Sequence, residues 1–224
     1  IANALDQLTF RVNTFPIPDY QPIPWLGIHR ARRGGGTDSR LKVICDMVRR
    51  QSCKSCVDIG CNSGFFAITL AEMGLNVLGI EGDPRYIQIM NHTIRRTRKR
   101  NVGVLAIELD LGNAELIPVV DCTLFLSVWH HVVMNRGLVE ATDLLRLIWD
   151  KTEKVLFFET GELEMPLRYN LPDMRPEPRE WITGYLDESL CGAEVLHLGS
   201  HMAFAPDGKE AARNLFACVR RGNV

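Results

Sequence analysis

The sequence predicts an α/β fold: a doubly wound, mostly parallel sheet of seven strands closed by an antiparallel pair. Three observations carry this. Between Cys56 and Glu159, five short apolar runs alternate with stretches of helical periodicity, the order that builds a parallel sheet through right-handed crossovers. The first run breaks at a glycine-rich loop that leads directly into an apolar helix, so strand, tight loop and helix follow one another. Beyond Arg179 the rhythm changes to a helix and then two strands separated by Pro206-Asp207-Gly208, which suits a closing antiparallel pair at the sheet edge.

Taken in order, residues 1 to 38 read as an irregular segment and a lid. Pro16, Pro18, Pro22 and Pro24 precede Gly34-Gly35-Gly36, and Phe10, Phe15, Tyr20 and Trp25 can pin the segment down or close over a ligand. His29, Arg30, Arg32 and Arg33 form a small cationic cluster beside those glycines. Residues 39 to 224 read as one domain. Asp38 or Ser39 is expected to cap a helix carrying Leu41, Ile44, Cys45 and Val48 at helical spacing. Strands are expected around Cys56 to Ile59, Asn76 to Glu81, Val104 to Leu109, Cys122 to Val128 and Val155 to Glu159. Helices are expected over residues 65 to 73, from Asp83-Pro84 with Ile87, Met90 and Ile94 on one face, and over Leu138 to Trp149. The tail supplies a helix at Arg179 to Leu190 and strands at Glu194 to His197 and Leu215 to Val219.

Composition narrows the function classes. With 224 residues and 46% apolar composition, one sizeable core is expected. A formal net charge of −1 lacks the basic surplus of a polyanion reader, although Arg95, Arg96, Arg98, Lys99 and Arg100 crowd one helix end. Cations there also complement the helix dipole. No apolar run reaches membrane-span length, so a cytoplasmic protein without a membrane span is expected. Seven scattered cysteines suit reduced thiols, and the Cys53-x-x-Cys56 pair has no partner motif at zinc-ligand spacing, so no metal is expected. The chain opens at Ile1, which reads as part of a larger polypeptide.

The loop Asp58-Ile59-Gly60-Cys61-Asn62-Ser63-Gly64 proposes a nucleotide-like ligand, because its amides and the following helix N-terminus face whatever lies over the strand end. A phosphate-loop NTPase would need lysine and then serine or threonine where Phe65-Phe66 stands. A dinucleotide loop would need a third glycine that is absent. What remains is an acid inside the strand, Asp58, able to hold an ammonium, and an acid at the next strand end, Glu81, able to take both hydroxyls of a ribose.

These residues, with Gly79-Ile80-Glu81 and Leu109-Asp110-Leu111, resemble the first three cofactor motifs of class I S-adenosylmethionine-dependent methyltransferases, a Rossmann-like family. The resemblance covers roughly residues 39 to 220, and Asn62 replaces the middle glycine of the common pattern. It implies S-adenosylmethionine as cofactor, with Gly60, Asn62 and Gly64 facing its methionine part, Glu81 its ribose, and Asp110 with Leu111 its adenine; Cys61 and Ser127 join the implied cofactor contacts.

A methyl acceptor must then meet the cofactor over the end of the fourth strand, where Ser127-Val128-Trp129-His130-His131 lies. A histidine suits removal of a hydroxyl proton, so His130 and His131 are the catalytic candidates, with His130 favoured to face the pocket. Trp129, Glu159, Arg30 and Arg179 are expected around the acceptor, and converging arginines, Arg168 and Arg175 among them, would suit an acidic or phosphorylated one. The run from Leu124 to Glu159 is similar to the methyltransferase part of bifunctional enzymes that cap bacterial O-antigen polysaccharide. The expectation is O-methylation of a small-molecule, glycan or phosphate acceptor. An RNA methyltransferase and a non-catalytic methyltransferase-like binding domain are the alternatives, since fold does not choose the acceptor.

Overall fold

A computed structural model describes residues 20–32 and 34–222; Phe10, Phe15, Pro16, Pro18 and Arg33 lie outside the described residues. The chain forms α1 (Thr37–Arg50), β1 (Ser55–Ile59), α2 (Phe65–Glu72), β2 (Asn76–Glu81), α3 (Pro84–Thr97) and β3 (Val102–Ala106). There follow β4 (Val120–Leu126), α4 (Trp129–Arg136), α5 (Leu138–Asp150), β5 (Thr152–Glu159), α6 (Pro178–Ser189), β6 (Ala193–Phe204) and β7 (Glu210–Arg220). The seven strands form one sheet in the order β3-β2-β1-β4-β5-β7-β6. All pairs from β3 to β5 are parallel, and β7 runs antiparallel to both β5 and β6.

The chain first winds outward from β1 to β3 and then returns to β4 beside β1, in the register Asp58 with Leu124 and Ile59 with Phe125. That reversal leaves a crevice at the carboxyl ends of β1 and β4, where ligands of doubly wound sheets bind. Strand side chains alternate between two cores, one on each face. Cys56, Leu124 and Phe157 join α1 and α2 on one side; Val57, Phe125 and Phe158 join α4, α5 and α6 on the other.

Several boundaries differ from expectation for physical reasons. α1 is not capped by Asp38 or Ser39 but by Gly36, whose φ of +74° and close packing on the Met202 backbone admit no Cβ. The apolar pattern extended β3 to Leu109, yet pairing stops at Ala106, because Ile107 and Leu109 are apolar in order to line a ligand cleft. β4 likewise ends at Leu126 rather than Val128: Ser127 takes a φ of +58°, and the chain turns at once into α4, a helix the strand reading had not anticipated. The closing strands are longer than expected, reaching Phe204 and starting at Glu210. No helix among the described residues is long and apolar enough to cross a membrane.

Candidate active site

Two connected cavities open over the carboxyl ends of β1, β2 and β4. The outer one, about 830 Å³, is lined by Glu81, Tyr86, Asp110, Val132 and Arg136 among others. The inner one, about 250 Å³, is lined by Tyr20, Gln21, Arg40, Asp58 and Phe66. Gly60, Asn62, Ser127, Val128 and His131 border both.

The outer wall is made by the loop after β1 and the end of β2. Gly60 has φ +68°, and a Cβ there would lie 2.4 Å from the Val128 side chain, so only glycine lets the loop pack this closely on Val128. The Glu81 carboxylate accepts the Asn62 N–H on one oxygen and the Asp83 N–H on the other, both at 2.8 Å. Those bonds fix its direction and leave lone pairs for further donors. Asp110 borders the cavity beside Arg136 at 3.6 Å.

Asp58 differs from Glu81. It is 3% exposed, and its Oδ2 has no hydrogen-bond partner. Burial first, and then the nearby Glu81 charge, push its carboxyl up to about 8. An orphaned acidic oxygen on the wall of a cavity fits a ligand that brings a cation, and the ammonium of S-adenosylmethionine is such a group. Arg40, a cation, borders the same cavity.

The floor beneath Ser127 is a buried ionic network. Arg40 Nη1 donates to both Glu159 oxygens at 2.8 and 3.0 Å, and Ser127 Oγ donates to Glu159 Oε1 at 2.6 Å. Burial alone would raise the Glu159 carboxyl, but Arg40, the Ser127 hydroxyl and Arg213 hold it below the usual carboxylate range. From β7, Arg213 donates through Nη1 to Ser127 Oγ at 3.1 Å and Tyr20 Oη at 3.4 Å, and through Nε to Glu164 Oε1 at 2.7 Å.

The expected site residues divide accordingly. Asp58, Gly60, Asn62, Glu81, Asp110, Ser127 and His131 come together on the cavities. Cys61 is fully buried beneath the loop against Met90, because the loop folds its thiol inward, and Gly64 instead caps α2. Leu111 lies beyond the lining residues. On the acceptor side the preference for His130 reverses. His130 is 2% exposed, and its Nδ1 accepts the Gly161 N–H at 2.8 Å, so that lone pair holds a loop. One residue further round α4, His131 faces the cavities; burial, and then the Arg213 charge, keep its imidazole below its ordinary pKa and hence neutral at pH 7. Trp129 is not at an acceptor surface: it is fully buried and donates to Tyr185 Oη at 3.0 Å. Glu159 is likewise sequestered by Arg40, and Arg30 and Arg179 are exposed away from both cavities. Sequence reasoning missed Arg40 and Arg213, which carry no local motif, and Gln21, whose Oε1 accepts the Phe65 N–H at the start of α2.

Residues 57–147 match the family model described as a methyltransferase domain. Over 150 residues the chain is 31% identical to the O-antigen chain terminator bifunctional methyltransferase/kinase WbdD of Escherichia coli, which covers 63% of this chain and 20% of that protein. The chain thus spans about one fifth of the curated relative it matches. A crystal structure of WbdD superposes with a TM-score of 0.72 at 22% identity, covering 95% of this chain and 46% of that one. Magnesium protoporphyrin IX methyltransferase (ChlM) from Synechocystis PCC 6803 with bound SAM superposes with a TM-score of 0.59 at 15% identity, covering 83% and 80%. The two superpositions show that the fold is shared with these methyltransferases, and the family model and the curated relative show that the sequence is similar to methyltransferases over the stretches they match.

Proposed function

We propose that the domain methylates an oxygen of a small-molecule, glycan or phosphate acceptor, with His131 as the base. S-adenosylmethionine, when bound, supplies an electrophilic methyl group on a sulfonium sulfur. Glu81 would hold the ribose hydroxyls and Asp110 the adenine edge. Asp58, whose Oδ2 has no hydrogen-bond partner, suits the ammonium of the methionine part, and Arg40, on the same small cavity, suits its carboxylate. Tyr20 and Gln21 close that cavity from the N-terminal segment, which is the lid role. The observation that carries the reading is the position of His131, which borders both cavities together with Ser127 at the end of β4. A neutral imidazole there can take the proton of an acceptor hydroxyl as it attacks.

The O-antigen role in the relative's name supports a glycan or phosphate acceptor, and seven free cysteines suit a reducing cytoplasm. RNA is the weaker reading. The exposed Arg95, Arg96, Arg98 and Arg100 sit where α3 leads into the start of β3, at the opposite end of the sheet from the cavities. The test is release of S-adenosylhomocysteine with phosphorylated sugars, free oligosaccharides and short RNAs as acceptors. Turnover with a sugar or phosphate acceptor, lowered about a hundredfold in His131→Ala, is expected. Turnover with RNA alone, or cofactor binding with no acceptor used, overturns the reading.

A further inference from the structure

We infer that Arg213 is a positioning residue: from behind the inner cavity it anchors the N-terminal segment through Tyr20, using the same nitrogen that sets Ser127. The inference rests on the methyltransferase reading and adds what holds the wall of that site in place. Tyr20 and Gln21 are neighbours in the chain, and both border the inner cavity. They are fastened to opposite halves of the site. Gln21, 8% exposed, accepts through Oε1 the Phe65 N–H at 3.1 Å and the Ser63 hydroxyl at 3.4 Å, so it is tied to the loop and helix that follow β1. Tyr20 reaches the other way, and its Oη accepts from Arg213 Nη1 of β7 at 3.4 Å. That nitrogen also donates to Ser127 Oγ at 3.1 Å, and Ser127 donates in turn to Glu159, which Arg40 holds. Two successive residues of the N-terminal segment thus join the β1 side of the site to the β7 side.

The shape of an arginine suits this post. Nε of Arg213 donates to Glu164 at 2.7 Å, and Nη2 lies against the Met165 sulfur at 3.4 Å. Because the guanidinium is planar and rigid, those contacts fix where Nη1 points. Burial to 2% exposure leaves the plane little room to turn. A lysine ammonium on its flexible stem keeps the charge but not the fixed direction toward both hydroxyls. The neighbouring ties of the segment lie elsewhere. Ile23 and Ile28 close a local turn, and Trp25 fastens that turn to α2 by donating to Glu72 at 2.9 Å. A cavity wall fastened on both sides is ordered before a ligand arrives, so binding need not supply that ordering.

The test pairs amide hydrogen exchange over residues 20–28 of the unliganded protein with calorimetric titration of S-adenosylhomocysteine. Tyr20→Phe keeps the ring and loses the charge-assisted bond, so exchange over 20–28 is expected about fivefold faster and S-adenosylhomocysteine binding about fivefold weaker. Arg213→Lys is expected to do the same from a strand 193 positions away. The double variant should bind no more weakly than Arg213→Lys, because both changes break one contact. A role in stability alone would lower the melting temperature and leave the affinity unchanged. Unchanged exchange over 20–28, or unchanged affinity, in either folded variant overturns the proposal, and so do losses that multiply in the double variant. If Arg213→Lys fails to fold, Tyr20→Phe decides alone. Failure of the wild type to bind S-adenosylhomocysteine would instead overturn the underlying methyltransferase reading.

Discussion

The two halves of the site are built by different means. The half over β1, β2 and β3 uses backbone: a loop that Gly60 lets approach, and an acid, Glu81, set by amides of Asn62 and Asp83 that lie within 19 residues of it. The half over β4, β5 and β7 uses side chains from distant places: Arg40 meets Glu159 across 119 positions, and Arg213 meets Ser127 across 86 and Tyr20 across 193. The first arrangement leaves an acidic oxygen without a hydrogen-bond partner; the second satisfies its charges internally. Orphaned Asp58 Oδ2 against doubly bonded Glu159 expresses the contrast most directly.

Breaking the internal pairing has the largest expected effect. Glu159→Gln leaves Arg40 charged and buried without its partner, which costs about 3–5 kcal/mol. The melting temperature should fall by about 10 °C. Removing the proposed base comes next: His131→Ala should lower turnover by about a hundredfold while leaving S-adenosylhomocysteine affinity within about threefold. His130→Ala should act instead on the melting temperature, because its Nδ1 holds Gly161. The smallest effect is expected at the far end of the sheet, where replacing Arg95 and Arg96 by alanine should change stability by no more than about 0.5 kcal/mol and leave cofactor affinity intact.

The same contrast explains what could be read from sequence. The grouping of Asp58, Gly60, Asn62, Glu81 and Asp110 on one cleft was legible because they are close in sequence and sit at successive strand ends, and all of them border the cavities. The doubly wound, mostly parallel sheet and its closing antiparallel pair were legible from the alternation of apolar runs for the same local reason. The acceptor half was not. Which of two adjacent histidines faces the ligand depends on where α4 begins, and an apparent strand ending at Val128 hid that turn. Glu159 looked like a free acid at a strand end because nothing near it in sequence announces Arg40. The arginines expected at the acceptor, Arg30 and Arg179, lie on exposed segments, while the buried one, Arg213, stands in a closing strand that periodicity reads only as packing.

Asp58 Oδ2 has no hydrogen-bond partner, and under the proposed reading it is the oxygen that meets a cationic ligand. Its pKa in the folded protein, about 8, is raised from the ordinary 3.8, so the folded state holds a proton that the unfolded chain releases. Stability from this group is therefore full below about pH 4 and is lost as the pH rises through 8. Asp58→Asn should remove that loss and melt higher than the wild type at pH 8 without ligand. The most direct measurement is calorimetric titration of S-adenosylhomocysteine at pH 7 in two buffers of different ionisation enthalpy. Binding by the wild type should release a proton, seen as a buffer-dependent heat, and Asp58→Asn should bind about tenfold or more weakly with no such dependence. Equal affinity of the two proteins, with the same heat in both buffers, would contradict the account.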